Sequence, residues 1–213
     1  MKTKILLVRH GQSLGNLRET FLGYTDLDLT ELGYRQAEAL AKRLRDVPLD
    51  AVYSSDLCRA VNTVLPAARD HGLTVTPDKR LREIFAGEWE GVTFDEIARR
   101  FPADRALWKQ NIGLSRPTGG ESVTELTARV KAALDDIAAK NPGRTVLVGT
   151  HATPVRSVMM RLRGYPPERM TEIDWAPNAS ITTVVYEDGV ARLEGEADAA
   201  HLEGIVTLVP QKI

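Results

Sequence analysis

Short apolar runs alternate with helical patterns along most of this chain, and this alternation restricts the fold more than any other feature. The runs at 4–8, 50–54 and 145–149 are each bounded by turn or polar residues. Such runs are typical of parallel strands that are buried on both faces. Strands separated by helices predict a mostly parallel sheet with helices packed on both sides.

The helix starts carry capping signals. Thr30 is placed as an N-cap, and Ser122 with Glu125 has the spacing of a capping box. Ser55-Asp56 follows the second strand and predicts a cap for the next helix. Pro154 predicts the first residue of a further helix, because proline fits that position without loss of a hydrogen bond.

The segment 80–116 is the least regular part of the chain, with short helices expected near 93–100 and 104–110. Beyond the last helix, residues 180–186 alternate in polarity and predict a hairpin with 190–193. The expected fold is therefore α/β, a three-layer α/β/α sandwich. Its sheet is mostly parallel and carries helices on both faces and an antiparallel edge strand.

Composition limits the function classes. The chain has 28 Lys and Arg against 29 Asp and Glu, and no block of one sign, so we expect neither a nucleic-acid nor a membrane partner. Cys58 is the only cysteine, so no intrachain disulfide can form. The apolar run at 5–8 is too short for a signal peptide or a membrane span, and a cytoplasmic location is expected. With no linker or repeat, residues 1–213 are expected to form one domain.

Two of the predicted strands each end in a histidine, His10 and His151. Parallel sheets place ligands at the carboxyl ends of their strands, so both imidazoles are expected in one crevice. Arg59 lies in the first turn of the helix after the second strand and is expected to point into the same crevice. Arg9 and Arg59 suit a tetrahedral anion rather than a divalent metal ion, because guanidinium groups bind phosphate oxygens and stay charged. Neutral imidazole can attack phosphorus, and nearby positive charge keeps it unprotonated.

The run Leu7-Val8-Arg9-His10-Gly11-Gln12-Ser13, followed by Asn16, resembles the signature of the histidine phosphatase superfamily, which includes cofactor-dependent phosphoglycerate mutases. Further blocks follow in the family's order and extend the resemblance over roughly 5–180, nearly the whole chain. These blocks are Gly23-Tyr24-Thr25-Asp26, Leu29-Thr30-Glu31-Leu32-Gly33, Ser54-Ser55-Asp56-Leu57 with Arg59-Ala60, Leu81-Arg82-Glu83-Ile84, Gly87-Glu88-Trp89-Glu90-Gly91, Gly120-Glu121-Ser122 and Thr150-His151.

The resemblance implies a covalent mechanism in which His10 takes the phosphoryl group and water then hydrolyses the phosphohistidine. Glu83 matches the family's acid and base residue, and no metal ion or other cofactor is implied. His151, Arg9 and Arg59 match the residues that hold the phosphoryl oxygens. The residues expected to bind substrate are Asn16, Gly23 and Thr153.

Several of these residues have competing interpretations. Nearby carboxylates could take the role of Glu83. His71 and His201 are expected to be ordinary hydrogen-bonded histidines, and Cys58 is expected to be a packed thiol. Arg116 and Arg156 could contact a substrate carboxylate, although a solvated surface position is the default for both. The competing carboxylates are Glu88, Glu90 and Glu121. The aromatic residues that could line the substrate pocket or form local core are Trp89, Phe94 and Trp108.

The choice between phosphatase and mutase depends on the segment between Glu83 and Gly120. In the mutases this segment is longer and carries basic residues for the substrate's second charge, whereas here it is compact and mixes both signs. Gln12, where the mutases usually have an acid, also favours a phosphatase. Ala152-Thr153-Pro154 departs from the glycines common after the second histidine.

The sequence thus predicts a phosphomonoesterase that hydrolyses a small phosphorylated metabolite, acting as a monomer or homodimer. A cofactor-dependent phosphoglycerate mutase is the first alternative. A non-catalytic module that binds a phosphate ligand is the second, but such a module has no need for both His10 and Glu83.

Overall fold

The computed structural model describes residues 1–208, which are built around a six-stranded sheet. Its strands are β1 (Lys2–Arg9), β3 (Ala51–Ser54), β4 (Val75–Pro77), β6 (Thr145–Thr150), β7 (Ile181–Glu187) and β8 (Val190–Asp198), and β2 (Thr20–Phe21) and β5 (Val92–Thr93) form a separate small sheet. The order across the large sheet is β4-β3-β6-β1-β7-β8. The first four are mutually parallel, and β7 runs antiparallel to both β1 and β8.

The helices cover both faces of the large sheet. They are α1 (Leu14–Leu17), α2 (Glu31–Leu44), α3 (Cys58–Asp70), α4 (Phe94–Arg100), α5 (Pro102–Gln110), α6 (Val123–Lys140) and α7 (Ala152–Leu162). Side chains of β1 alternate between the two faces: Ile5 and Leu7 pack into one apolar core with α6 and α7, whereas Leu6 and Val8 pack into a second core with α2 and α3. This confirms the predicted three-layer α/β/α sandwich.

Two predicted helix starts match the structure. The Thr30 side chain accepts a hydrogen bond from the backbone N–H of Gly33, and Ser122 forms a complete capping box with Glu125. The predicted C-terminal hairpin is also present, although its second strand continues beyond 193, to Asp198.

The two other predicted starts are wrong. Helix α3 begins at Cys58 with Leu57 as its N-cap, because the side chain of Ser55 bonds to His151 and that of Asp56 pairs with Arg82. Helix α7 begins two residues before Pro154. The proline is still in the first turn, where its missing N–H has no partner within the helix.

The irregular segment contains the two predicted short helices, α4 and α5, of which α5 starts two residues earlier than expected. The small β2–β5 sheet and these helices pack around Phe21. Its ring meets Trp108 edge to face at 5.3 Å between centroids, Trp89 at 5.5 Å and Phe94 at 6.3 Å. Short elements are thus joined by aromatic contacts rather than by long hydrogen-bond ladders.

Among residues 1–208, no helix has both the length and the apolar character needed to cross a membrane.

Candidate active site

The carboxyl ends of three parallel strands bring the predicted residues together. β1 pairs with β6 in the register Arg9 to Thr150, so His10 and His151 leave the sheet side by side. Their ring centroids are 5.2 Å apart, with the ring planes at 62°. β3 pairs with the other edge of β6, and Arg59 follows it in the first turn of α3.

His10 is oriented by its own loop. Its Nδ1 lies 2.7 Å from the carbonyl oxygen of Gly11, an acceptor, so Nδ1 carries the proton and Nε2 keeps the lone pair. Burial, and after it the charges of Arg59 and Arg9, hold the pKa of His10 well below the usual 6.5. The ring is therefore neutral at physiological pH and can act as a nucleophile through Nε2.

His151 is fully buried beside it. Ser55 Oγ lies 2.8 Å from its Nε2, while Nδ1 is buried with no hydrogen-bond partner among the described residues. Burial, followed by the charge of Arg59, also holds the pKa of His151 well below 6.5. Buried polar atoms in native proteins nearly always have a hydrogen-bond partner, so the unpaired Nδ1 indicates that this side chain binds a ligand.

Arg9 and Arg59 are buried and anchored to backbone carbonyls. Arg9 Nη1 donates to the Ala176 oxygen at 2.6 Å, and Arg59 Nη2 donates to that of Gly23 at 2.8 Å. In each guanidinium the Nε is buried and finds no partner within 1–208. Burial lowers the pKa of Arg9 to about 10, opposed by Glu83, so the group remains cationic near neutrality. The two side chains supply fixed charge with unused donors.

The backbone at position 23, whose carbonyl anchors Arg59, requires a glycine. Its φ of +50° lies in the left-handed region, and a Cβ there would come within 2.1 Å of Glu90 Oε1. Gly23 therefore holds Arg59 through its carbonyl, and it also lines the cavity.

Glu83 reaches the amino end of α7. Its Oε1 accepts from the backbone N–H of Ile84 at 2.9 Å and its Oε2 from that of Thr153 at 3.3 Å. Two of the competing carboxylates have other roles: Glu90 accepts hydrogen bonds from the 24–25 backbone, and Glu121 pairs with Arg129 at 2.7 Å. Glu83 is the one glutamate in the cavity wall within the described part of the chain.

His10, Arg9, Arg59 and Glu83 line a cavity of about 60 Å³, and His151 lies against the His10 ring beside it. One water needs roughly 10–15 Å³ by this measure, so the enclosed space admits a phosphoryl group and the first atoms of its alcohol. Asn16 also lines it, and its Oδ1 accepts from the Ser13 backbone N–H at 3.0 Å, which leaves the amide NH₂ as the available donor. The remaining lining residues are Thr20, Phe21, Leu22, Gly23, Phe94, Trp108, Ala152, Thr153 and Trp175.

Sequence reasoning missed Arg129, the residue that fixes the Glu83 segment. Its guanidinium donates to the backbone oxygens of Arg80 and Arg82 at 2.8 Å and of Glu83 at 2.7 Å, and it pairs with Glu121. An arginine on α6 has no local signal for this role, because every carbonyl it reaches is more than forty residues away in sequence.

Two other missed residues lie in the segment before β7. Trp175 lines the cavity, and Asn178 donates to the carbonyl oxygen of His10 at 2.9 Å. Neither residue belongs to one of the motifs quoted above, so sequence reasoning had no ground for placing them at the site.

Residues outside the cavity also have clear placements. Arg116 is half exposed and pairs with Glu125. Arg156 is buried, donates to the Ile173 carbonyl and lies 4.2 Å from the Trp175 ring centroid, so its expected solvated position is wrong. Of the aromatic set, Trp89 is core, whereas Phe94 and Trp108 line the cavity.

The remaining histidines and the cysteine lie away from this chemistry. His71 bonds to the backbone oxygens of Ala67 and Val47, and His201 to that of Ala179. Burial, with the nearby Asp26 carboxylate, raises the pKa of Cys58 to about 12, so the thiol is not a nucleophile near neutrality.

No group of three or more His, Cys, Asp or Glu side chains within residues 1–208 is arranged to hold a metal ion.

Comparison with known proteins identifies the family. The model of the histidine phosphatase superfamily (branch 1) matches residues 5–199. Phosphoserine phosphatase 1 of Hydrogenobacter thermophilus is 32% identical over 87% of each chain, and a metal-independent phosphoserine phosphatase of Arabidopsis thaliana is 34% identical over 95% of this chain and 84% of its own. Among solved structures, Bacillus stearothermophilus YhfR superposes with a TM-score of 0.90 at 31% identity, covering 94% of this chain and 99% of YhfR. The chain belongs to branch 1 of the histidine phosphatase superfamily.

Proposed function

We propose that this protein is a metal-independent phosphomonoesterase that hydrolyses a small phosphorylated metabolite through a phosphohistidine on His10. The observation that carries the proposal is the neutral His10 ring, with its Nε2 lone pair free, beside two buried guanidiniums that have unused donors. The phosphatase names of the relatives support the same reaction class.

In the first step, Nε2 of His10 attacks phosphorus while the bond from phosphorus to the alcohol oxygen breaks. Glu83, protonated at this stage, gives its proton to the departing alkoxide. In the second step the Glu83 carboxylate takes a proton from water, and the water oxygen attacks the phosphohistidine. Inorganic phosphate leaves, and His10 and Glu83 return to their starting states.

The surrounding donors stabilise the charge on the phosphoryl oxygens in both steps. Arg9 and Arg59 offer their unpaired Nε–H groups. We assign Ser55 Oγ as the donor to Nε2 of His151, because Nδ1 of that neutral ring then carries the proton and serves as a third donor. The Asn16 amide supplies a fourth.

Thr153 and Gly23 act mainly through their backbones in this scheme. The N–H of Thr153 holds Glu83 in place, and the carbonyl of Gly23 holds Arg59. Both residues also line the cavity, where they limit the space beside the phosphoryl group.

Two alternatives are less well supported. A mutase must hold a second acidic group of its substrate, and the cavity wall within 1–208 has no lysine or arginine besides Arg9 and Arg59. A module that only binds phosphate gains nothing from a glutamate whose backbone is fixed by Arg129 beside the nucleophile.

The test is hydrolysis of 4-nitrophenyl phosphate by wild type and His10→Ala, each treated with a chelator. Wild-type turnover should persist, and the variant should lose it while keeping its circular dichroism spectrum. Mass spectrometry of quenched wild type should place a phosphoryl group on His10. Equal turnover by a folded His10→Ala variant would contradict the mechanism, and loss of wild-type turnover to the chelator would contradict metal independence.

A further inference from the structure

We propose that the site selects phosphate esters of uncharged alcohols that present an apolar face, and discriminates against esters whose alcohol carries a carboxylate. This inference rests on the proposed phosphatase function and narrows its substrate class. It departs from phosphoserine, the substrate for which the two phosphoserine phosphatase relatives are named.

The two cations in the cavity wall, Arg9 and Arg59, bind the phosphoryl group in the proposed mechanism. Arg9 and Arg59 flank His10, and backbone carbonyls hold both at that end. A carboxylate elsewhere in the cavity would have no cation of its own, because the wall within 1–208 has no lysine or arginine besides these two. Removing an unpaired charge from water is costly, so such an ester binds poorly.

The neighbouring arginines outside the wall cannot turn to meet a carboxylate without breaking existing contacts. Arg82 makes two hydrogen bonds of 2.6 Å to Asp56. Arg129 bonds to Glu121 and to three backbone carbonyls. Arg156 is buried against Trp175 and donates to the Ile173 carbonyl.

The rest of the wall suits hydrocarbon. Its large apolar side chains are Phe21, Leu22, Phe94, Trp108 and Trp175. Phe21 meets Phe94 and Trp108 edge to face, so these rings support one another. An apolar surface of packed rings favours an alcohol that buries carbon against it, and it does not compensate an ionic group for its lost hydration.

The first experiment compares kcat/KM of wild type for four esters of aliphatic alcohols: benzyl phosphate, phosphoethanolamine, phosphoserine and 3-phosphoglycerate. None has an activated phenolic leaving group, so the differences report on recognition of the alcohol. Benzyl phosphate should exceed phosphoserine and 3-phosphoglycerate by about tenfold or more, as one unpaired charge predicts. Phosphoethanolamine, which lacks the carboxylate, should exceed phosphoserine.

The outcomes separate the two proposals. If phosphoserine or 3-phosphoglycerate matches or exceeds benzyl phosphate while His10→Ala is inactive, the selectivity inference is overturned and the phosphatase function stands. If wild type hydrolyses none of the four esters and no 4-nitrophenyl phosphate, the proposed function itself fails.

A matched pair of variants tests the charge argument directly. Phe94→Lys places a cation in the wall, and Phe94→Met fills a similar length without charge. Phe94→Lys should raise the ratio of kcat/KM for phosphoserine over benzyl phosphate about tenfold above that of Phe94→Met. Equal ratios in the two folded variants would show that charge in the wall does not set selectivity, and would overturn the inference.

Discussion

The two ends of the cavity are built differently. The phosphoryl end consists of His10, Arg9 and Arg59, with His151 against His10, and parallel strands with continuous ladders place these residues. Backbone carbonyls anchor the two arginines. The apolar wall comes from two-residue strands, two short helices and the segment before β7, joined by ring contacts. The difference indicates that the reaction depends on the sheet, whereas selection of the alcohol depends on short elements outside it.

Glu83→Gln should cause the largest loss of activity, because the proton donor to the alkoxide is removed. For benzyl phosphate, kcat should fall by about 10²–10⁴-fold. The phosphorylation step with 4-nitrophenyl phosphate should fall less, since nitrophenolate leaves without a proton. Rapid-quench kinetics measures both, and Glu88→Gln serves as the matched control. A folded Glu83→Gln variant with kcat within about tenfold of wild type for both esters would place the proton donor elsewhere.

Arg129→Gln should test how far catalysis depends on the position of Glu83, because Arg129 binds the Glu83 carbonyl and does not line the cavity. We expect kcat for benzyl phosphate to fall about tenfold with little change in KM, because only the position of the acid is disturbed. The loss should be smaller for 4-nitrophenyl phosphate, and Arg129→Lys should recover part of the activity. Arg116→Gln, which removes an exposed ion pair, is the control and should leave both rates unchanged. Equal losses with both esters would reduce Arg129 to a purely structural residue.

The smallest expected effect concerns stability at the phosphoryl end. His151 is neutral in the folded state because its pKa is held well below 6.5, but in the unfolded chain it binds a proton below about that pH. The unfolded state then holds more protons, so the free energy of unfolding falls as pH drops through 6.5. His151→Gln should remove about 1 kcal/mol of the loss between pH 7 and pH 5.5. Urea titrations of both proteins at the two pH values measure this, and identical pH dependence would contradict it.

Local sequence patterns predicted the phosphoryl end of the cavity well. Buried strands are short, apolar and bounded by turns, so the positions of His10 and His151 followed from the chain itself. Arg59 followed from its place one turn into a helix after a strand. The choice of Glu83 needed the family resemblance, because Glu83, Glu88, Glu90 and Glu121 look alike without a structure.

The errors arose where a side chain had a distant partner. Ser55 has the composition of a helix cap, but its hydroxyl bonds to His151, 96 residues away. Arg156 lies on a helix with no signal for burial, and its partners, Ile173 and Trp175, lie in a loop. Contacts of this kind depend on the packed fold, which local periodicity does not describe.

The anchoring of the two phosphate-binding arginines has a consequence for laboratory evolution. Arg59 is held by the carbonyl of Gly23, directly after Leu22, and Arg9 by that of Ala176, directly after Trp175. Mutant libraries at positions 22 and 175 therefore disturb the backbone that fixes a cation, and new selectivity gained there will tend to cost turnover. Positions 94 and 108 carry no such anchor beside them in the described chain, so new selectivity gained there leaves the carbonyls that hold the two cations in place.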